Sequence, residues 1–254
     1  MKTIATYSIK GGVGKTTAAV GLAAEAALAG ARVLLWDLDP QGAATFLLRT
    51  NADLHVGAKR LVGPKGNLDR YLRGTSISSV HVVPADLSLR NLDLRLDGID
   101  HPIDRFRELL APMAPRYDVA LLDCPPALSL ASESVFGAAD ALLVPTIPSP
   151  LSVRTLAQLD RFLGDWAQPP IVLPFVSMYD ARRTVHRDTV AELAATRADL
   201  LATRIPVSAV VERMAVDLSP LTIVAPRAAV TAAFRSLWAD VSARLWPAES
   251  TNGA

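Results

Sequence analysis

The chain has 254 residues, of which 50% are hydrophobic and 20% are charged, and its formal net charge is +1. This composition excludes an intrinsically disordered protein, and the length is sufficient to bury a sizeable core. The near-zero net charge excludes attraction of nucleic acid or anionic lipid by the molecule as a whole, so any such binding needs a local patch.

Cysteine content and apolar runs narrow the class of protein further. The one cysteine, Cys124, cannot build an internal disulfide framework or a cysteine-rich metal or cluster site. The first strand starts at once, without the charged start and apolar run of a signal peptide. The sequence contains no stretch of about 18 apolar residues, so no transmembrane helix is predicted. We therefore expect a soluble cytoplasmic α/β protein.

A glycine-rich turn lies between a predicted strand at residues 3–7 and a predicted helix at residues 16–28, with the sequence Lys10-Gly11-Gly12-Val13-Gly14-Lys15-Thr16-Thr17. The glycines allow backbone N–H groups to converge on phosphate oxygens at the positive end of the helix. Lys15 would reach the β- and γ-phosphates, and the Thr16 hydroxyl would ligate Mg²⁺. The pattern predicts a phosphate-binding loop; the alternative is a turn that binds nothing.

Carboxylates follow two further predicted strands. Residues 32–36 predict a strand buried on both faces, followed by Asp37 and Asp39, and residues 117–123 predict another that ends in Asp123. Ligands of open α/β sheets bind at the carboxyl ends of strands. Asp123 stands where a P-loop ATPase needs a carboxylate for Mg²⁺. The alternative role for each is to cap the following helix.

The remaining pattern alternates between strands and helices. Strands are predicted at residues 80–84, 141–145, 171–176 and 201–205, and helices at 87–96, 103–113, 153–166, 182–196 and 228–245. Residues 47–74 predict only a short helix and surface loops. The alternation predicts an α/β fold with a doubly wound, mostly parallel sheet and helices on both faces. We expect a single P-loop ATPase domain over residues 1–247 and a disordered tail over 248–254.

Three motifs together resemble the ParA/MinD family of deviant Walker A ATPases, and among them the ParA/Soj-type partition ATPases. The motifs are residues 10–17, Asp37-Leu38-Asp39-Pro40-Gln41-Gly42 and Asp123-Cys124-Pro125-Pro126. Ile9 stands where an ordinary P-loop has its first glycine, and the additional lysine, Lys10, is the family's signature. The resemblance extends to about Leu245. Residues 207–220 lack a pattern common in chromosomal ParA proteins, and no helix-turn-helix extension precedes the first strand.

The resemblance implies roles for individual residues. Lys10 would reach across a dimer interface to the partner's phosphates; the alternative for this residue is an exposed loop lysine. Asp39 would position the attacking water, and Asp37 would support the Mg²⁺ shell. Met178 and Pro206 would lie near the adenine of ATP. The predicted catalytic residues are Lys10, Lys15 and Asp39; the nucleotide-binding residues are Gly11, Gly12, Val13, Gly14, Lys15, Thr16, Thr17, Met178 and Pro206; the metal site is Thr16, Asp37 and Asp123.

The family's behaviour also implies a cycle. ATP would drive a homodimer, the dimer would bind non-specific DNA at the nucleoid, and a ParB-like or cargo-adaptor protein would stimulate hydrolysis. The cargo would be a plasmid, a chromosome origin, a chemoreceptor cluster or a carboxysome. Such DNA binding needs a basic patch. The candidates, each of which could instead be solvated or ion-paired, are Arg182, Arg183, Arg187, Arg204, Arg213, Arg227 and Arg235.

Other readings fit the residues less well. A MinD-like membrane-associated ATPase uses a basic, apolar C-terminal helix, and residues 247–254 offer neither property; we expect no membrane partner. A nitrogenase-type iron protein needs several thiolates. A dethiobiotin-synthetase-like enzyme fits the paired lysines poorly, and the intact Lys15, Thr16, Asp39 and Asp123 argue against an inactive scaffold.

Overall fold

The computed structural model describes residues 1–50 and 57–247, so the predicted tail lies outside the described residues. Within them the strands form one sheet in the order β3-β4-β2-β5-β1-β6-β7-β8. All neighbours are parallel except β3 and β4. The strands are β1 Lys2–Thr6, β2 Val33–Asp37, β3 Arg73–Gly74, β4 Val80–Val83, β5 Val119–Asp123, β6 Ala141–Thr146, β7 Ile171–Tyr179 and β8 Arg204–Pro206.

Helices cover both faces of this sheet. Side chains of α1, α2 and α9 to α11 enter one apolar core, and those of α3 to α8 enter the other. The predicted doubly wound α/β fold is therefore confirmed. The helices are α1 Lys15–Leu28, α2 Ala43–Leu47, α3 Gly57–Leu61, α4 Leu92–Asp97, α5 Arg105–Leu110, α6 Leu130–Ala138, α7 Pro150–Leu163, α8 Thr184–Thr196, α9 Arg213–Asp217, α10 Leu221–Val224 and α11 Ala229–Leu245.

The central strands place functional side chains at one edge of the sheet. β2 and β5 are buried along their whole length, as expected of parallel strands covered on both faces. Their register sets Asp37 beside Asp123, and that of β1 and β5 sets Thr6 beside Asp123. The carboxyl ends of β1, β2 and β5 therefore form one continuous floor next to the loop that leads into α1.

Several predicted boundaries differ from the structure for local reasons. α7 begins at Pro150, three residues before the predicted start. Ser149 caps this helix, because its hydroxyl accepts from the Ser152 N–H at 3.3 Å. Proline also suits the first helical position. The helix predicted at residues 103–113 is divided into the 3-10 turn Pro102–Asp104, α5 and the 3-10 turn Ala111–Met113. Pro112 cannot donate a helical hydrogen bond, which accounts for the second break.

The stretch that was hardest to interpret from sequence contributes to the core. Residues 57–74 contain α3, a 3-10 turn at Leu68–Arg70 and the edge strand β3. Leu61, Val62 and Leu68 are fully buried, so the prediction of surface loops is wrong at these positions. Helices α2, α6, α9 and α10 were not predicted either, and β8 begins at Arg204 instead of Leu201.

Over residues 1–50 and 57–247, no helix combines the length and the apolar character that a bilayer crossing requires.

Candidate active site

The loop between β1 and α1 is shaped by two glycines with left-handed backbone angles. Gly12 has φ of 70° and Gly14 has φ of 94°, conformations that other L-residues adopt only with strain. A Cβ atom on Gly14 would also lie 3.2 Å from Ser177 Oγ. Gly14 precedes α1 without a side-chain cap. The first N–H groups of α1 therefore lack a side-chain acceptor there, which is the arrangement that binds phosphate.

Lys15 lies inside this loop with a side chain that is 7% exposed. Its ammonium donates to the Lys10 carbonyl oxygen at 3.3 Å. Burial lowers the pKa of Lys15, and the nearby carboxylates of Asp123 and Asp39 oppose that change. The loop thus holds a buried cation in position to bind an anion.

Asp37 and Asp123 form a buried pair of carboxyl groups below the loop, and neither side chain is exposed. Burial raises the pKa of Asp37 to about 6 and that of Asp123 to about 8, and the charge of Asp37 adds to the second rise. Asp37 is well supported, because it accepts from the Thr45 N–H and from the Thr45 hydroxyl, both at 2.8 Å. Thr45, on α2, was not singled out in the sequence and had no motif to reveal it.

Asp123 is supported on one oxygen alone. Its Oδ1 accepts from the Thr6 hydroxyl at 3.2 Å, whereas its buried Oδ2 has no hydrogen-bond partner among the described residues. The Thr16 hydroxyl also lies close enough to Asp123 to lower the pKa of this carboxyl group. A buried carboxylate oxygen of this kind needs a cation or a proton.

The residues around Asp123 fit a magnesium ion. Thr16, Asp37 and Asp123 offer hydroxyl and carboxylate oxygens, which are the ligands that Mg²⁺ prefers. Within residues 1–50 and 57–247, no three acidic, histidine or cysteine side chains converge on one point to form a metal site. The protein alone would therefore hold such an ion only in part, and phosphate and water oxygens would complete the shell, as is usual for Mg²⁺.

Asp39 and Lys10 lie half-buried on the rim of this site. Asp39 Oδ1 accepts from the Gln41 N–H at 3.0 Å, and the Asp39 N–H donates to Asp37 Oδ1 at 3.2 Å. These two hydrogen bonds connect the turn that carries Asp39 to Asp37 of the buried pair. The Lys10 N–H donates to Ser8 Oγ at 3.3 Å, which fixes the backbone from which its side chain leaves.

A pocket of about 220 Å³ lies beside the loop, and Met178 and Pro206 both line it together with Gly14 and Thr17. Its walls are largely apolar, which suits a planar base. Five further apolar lining residues have no local sequence signal, because they come from separate parts of the chain that the order of β7, β8 and the helices brings together. They are Phe175, Ile205, Val207, Val211 and Phe234.

All seven candidate arginines are exposed. Three of them are paired with carboxylates: Arg182 with Asp180 at 2.9 Å, Arg213 with Asp217 at 3.4 Å, and Arg235 with Glu25 at 3.3 Å. Arg204 lies over the Tyr179 ring at 5.4 Å. Within the described residues, the candidates without a carboxylate partner are Arg183, Arg187, Arg204 and Arg227.

Arg235 has a structural role that the sequence did not reveal. Its partner Glu25 is 3% exposed, and burial raises the pKa of that carboxyl group while Arg235 opposes the rise. An arginine that left Glu25 for a phosphate would leave a buried carboxylate without compensation. Arg235 is therefore a weaker candidate for DNA contact than the four arginines that have no carboxylate partner among the described residues.

A doubly wound parallel sheet with a glycine loop between its first strand and first helix, and with carboxylates at the ends of neighbouring strands, defines the P-loop NTPases. The chain is a member of that class. A family model described as "AAA domain" matches residues 1–168.

Similar proteins narrow the class to a family. The chromosome partitioning protein ParA of Myxococcus xanthus is 34% identical over 191 residues, which are 72% of this chain and 67% of that protein. The chain belongs to the ParA/Soj family of partition ATPases.

Solved structures resemble the whole fold. A cobyrinic acid a,c-diamide synthase from Mycobacterium smegmatis, with bound ATP analogue and magnesium, superposes with a TM-score of 0.80 at 26% identity and covers 96% of this chain and 95% of its own. A variant of McdA from Cyanothece in complex with ATP has a TM-score of 0.81 at 23% identity, over 95% of this chain and 96% of its own, and shows the same fold.

Asp123→Asn should make the protein without metal and nucleotide more stable. The raised pKa means that the unfolded state loses this proton at lower pH than the folded state does. The free energy of unfolding of the wild type therefore falls as pH rises from about 4 to about 8. The neutral amide avoids this loss, and we expect the melting temperature near pH 8 to rise by roughly 2–10 °C.

The same variant should also lose any stabilisation by Mg·ATP, because Asp123 is one of the residues that would hold the ion. Thermal melting at two pH values, with and without Mg·ATP, measures both effects. Asp97→Asn, at an exposed position at the end of α4, is the matched control. A variant that melted below the wild type near pH 8 would contradict the raised pKa of Asp123.

Proposed function

We propose that the protein hydrolyses Mg·ATP, dimerises when ATP is bound, and as a dimer binds DNA without sequence preference in order to position or segregate a cargo. The observation that carries the nucleotide site is the unpartnered Asp123 Oδ2 next to Thr16 and the buried Lys15. The ATP analogue and magnesium in the M. smegmatis structure support the same assignment. Residues 1–247 would act as one domain.

The residues of this site would have different roles in phosphoryl transfer. The N–H groups of the loop and Lys15 would hold the phosphates, and Thr16, Asp37 and Asp123 would hold Mg²⁺, which neutralises charge on the phosphate oxygens. Asp39 would orient the attacking water from the rim of the site. Positioning and charge stabilisation account for most of the catalysis of this reaction, so we expect slow hydrolysis until a partner protein completes the site.

Lys10→Ala tests the proposed dimer. The Lys10 backbone is fixed by Ser8 and by Lys15, so loss of its side chain should leave the loop intact and nucleotide bound. The ATP-dependent dimer should be lost, because a cation on the partner's phosphates would be missing. Sedimentation with excess Mg·ATP and a nucleotide titration measure the two properties. Lys59→Ala, an exposed lysine on α3, is the control; a normal dimer in Lys10→Ala would remove the proposed contact.

DNA binding would use arginines that become a larger patch when two copies associate. Arg183, Arg187, Arg204 and Arg227 have no carboxylate partner in the described part of the chain. Doubling this set gives a dimer of a nearly neutral chain enough cations to bind a phosphate backbone. The name of the M. xanthus relative, a chromosome partitioning protein, supports DNA as the polyanion.

The deciding experiment measures the affinity of the protein for arbitrary duplex DNA with ATP, with ADP and without nucleotide. We expect binding only with Mg·ATP, and a dimer with about six phosphate contacts should lose about 1,000-fold in affinity between roughly 50 and 200 mM salt. Arg183→Ala with Arg227→Ala should weaken this binding, while Lys59→Ala with Arg60→Ala removes equal charge elsewhere. Absence of ATP-dependent DNA binding would refute the proposal, and binding of anionic vesicles instead would favour the MinD-like alternative.

Connection to the cargo would require a further protein that binds the ATP-bound dimer. We propose a ParB-like or cargo-adaptor partner that stimulates hydrolysis and so releases the dimer from DNA at the nucleoid. Stimulation of phosphate release by the product of a neighbouring gene, measured with and without DNA, would identify that partner and with it the cargo.

A further inference from the structure

One continuous segment joins the pocket beside the loop to three of the exposed arginines. It begins at the end of β7, where the Ser177 hydroxyl donates to the Val13 carbonyl oxygen at 2.8 Å. The next residue, Met178, lines the pocket and has a left-handed φ of 54°, a conformation that costs a methionine free energy. The chain therefore leaves the pocket through a strained turn that is tied to the loop.

His186 fixes the chain just after that turn. Its imidazole is 3% exposed, and Nδ1 accepts from the Asp180 N–H at 3.1 Å. Burial lowers the pKa of His186, and the positive charge of Arg183 lowers it further, so the neutral ring can keep accepting at Nδ1. The ring also lies 6.3 Å from that of Tyr179. A histidine on α8 thus holds the turn that precedes α8.

Asp180 in turn sets the position of the arginines. Its carboxylate accepts from the Arg182 N–H at 3.0 Å and from the Arg182 guanidinium at 2.9 and 3.0 Å. Its carbonyl oxygen accepts from the Arg183 N–H at 3.1 Å. The Arg187 guanidinium donates to the Ala181 carbonyl oxygen at 2.8 Å. The turn at residues 180–181 therefore makes hydrogen bonds to all three arginines.

We propose that His186 is a positioning residue that couples occupation of the pocket at Met178 to the presentation of Arg183 and Arg187 to a polyanion. A base packed against Met178 would restrict the strained turn, and the hydrogen bond from Asp180 to His186 would pass that restriction to the arginines. Two sites coupled in this way influence each other's affinity reciprocally. The inference rests on the proposed binding of DNA.

The test compares two replacements of His186. Asparagine can place its side-chain oxygen near the position of Nδ1 and still accept from Asp180, whereas alanine cannot. We expect His186→Ala to lose at least about fivefold in affinity for duplex DNA with Mg·ATP while its nucleotide affinity changes by less than about twofold. His186→Asn should restore most of the DNA affinity. A normal DNA affinity in His186→Ala, or an equal loss in both variants, would overturn the inference.

A second measurement does not depend on DNA or on the stability of the variants. Hydrogen exchange of the wild type over residues 178–188 should slow when nucleotide binds, and the Asp180 amide should show the effect. Absence of any nucleotide-dependent change in this segment would overturn the coupling even if the protein binds DNA. A clear change without DNA binding would support the coupling and refute only the proposed DNA function.

Discussion

Lys15→Ala is expected to abolish nucleotide binding. The substitution removes a buried ammonium that is held inside the loop by the Lys10 carbonyl oxygen. Two charge-assisted hydrogen bonds to phosphate contribute about 3 kcal/mol or more, so the affinity for ATP should fall at least about 100-fold. The dimer and its DNA binding should be lost with the nucleotide, because both depend on ATP in the proposed cycle.

A nucleotide titration followed by sedimentation with Mg·ATP measures these losses. Lys65→Ala, which removes an exposed lysine from another loop, provides the control for charge. Thermal melting of Lys15→Ala without nucleotide shows whether the variant is folded. Retention of wild-type ATP affinity in a folded variant would refute the assignment of Lys15 to the phosphates.

Asp39→Ala should separate binding from turnover. Asp39 lies on the rim of the site, and among the described residues its carboxylate accepts from the Gln41 N–H alone. Its loss should therefore leave the phosphate loop and the buried carboxyl pair in place. Hydrolysis should fall by at least about 100-fold, because the water would no longer be oriented. ATP should remain bound, and the dimer should persist on DNA.

Phosphate release and the lifetime of the dimer after removal of free ATP test this expectation. Asp97→Ala, an exposed carboxylate on α4, should behave as the wild type. If Asp39→Ala turned over ATP at the wild-type rate, the water-positioning role would have to be assigned to another residue.

The fold and the centre of the site could be predicted because their signals are local. Gly12, Gly14, Lys15 and Thr16 stand within five residues, and β2 and β5 are continuous apolar runs followed by carboxylates. The resemblance added the expected roles of Lys10 and Asp39. The strand ends could be expected to meet at one edge, but the direct pairing of Asp37 with Asp123 needed the register of β2 and β5.

The features that were missed depend on contacts between distant parts of the chain. The Arg235–Glu25 pair spans 210 positions, so no local pattern could show that this arginine is engaged. The walls of the pocket beside the glycine loop come from β7, β8, α11 and the 3-10 turn Ala209–Glu212. The sequence around His186 does not distinguish it from other helical residues, because its role as a hydrogen-bond acceptor depends on the turn six residues before it.

The outer strands of the sheet bear on how copies of the protein could associate. β3 contains two residues and β8 contains three, so each margin offers few backbone groups to an added strand. We therefore expect filaments grown by sheet continuation to be disfavoured at both margins. Any higher assembly would therefore be built through side-chain contacts between faces of the molecule.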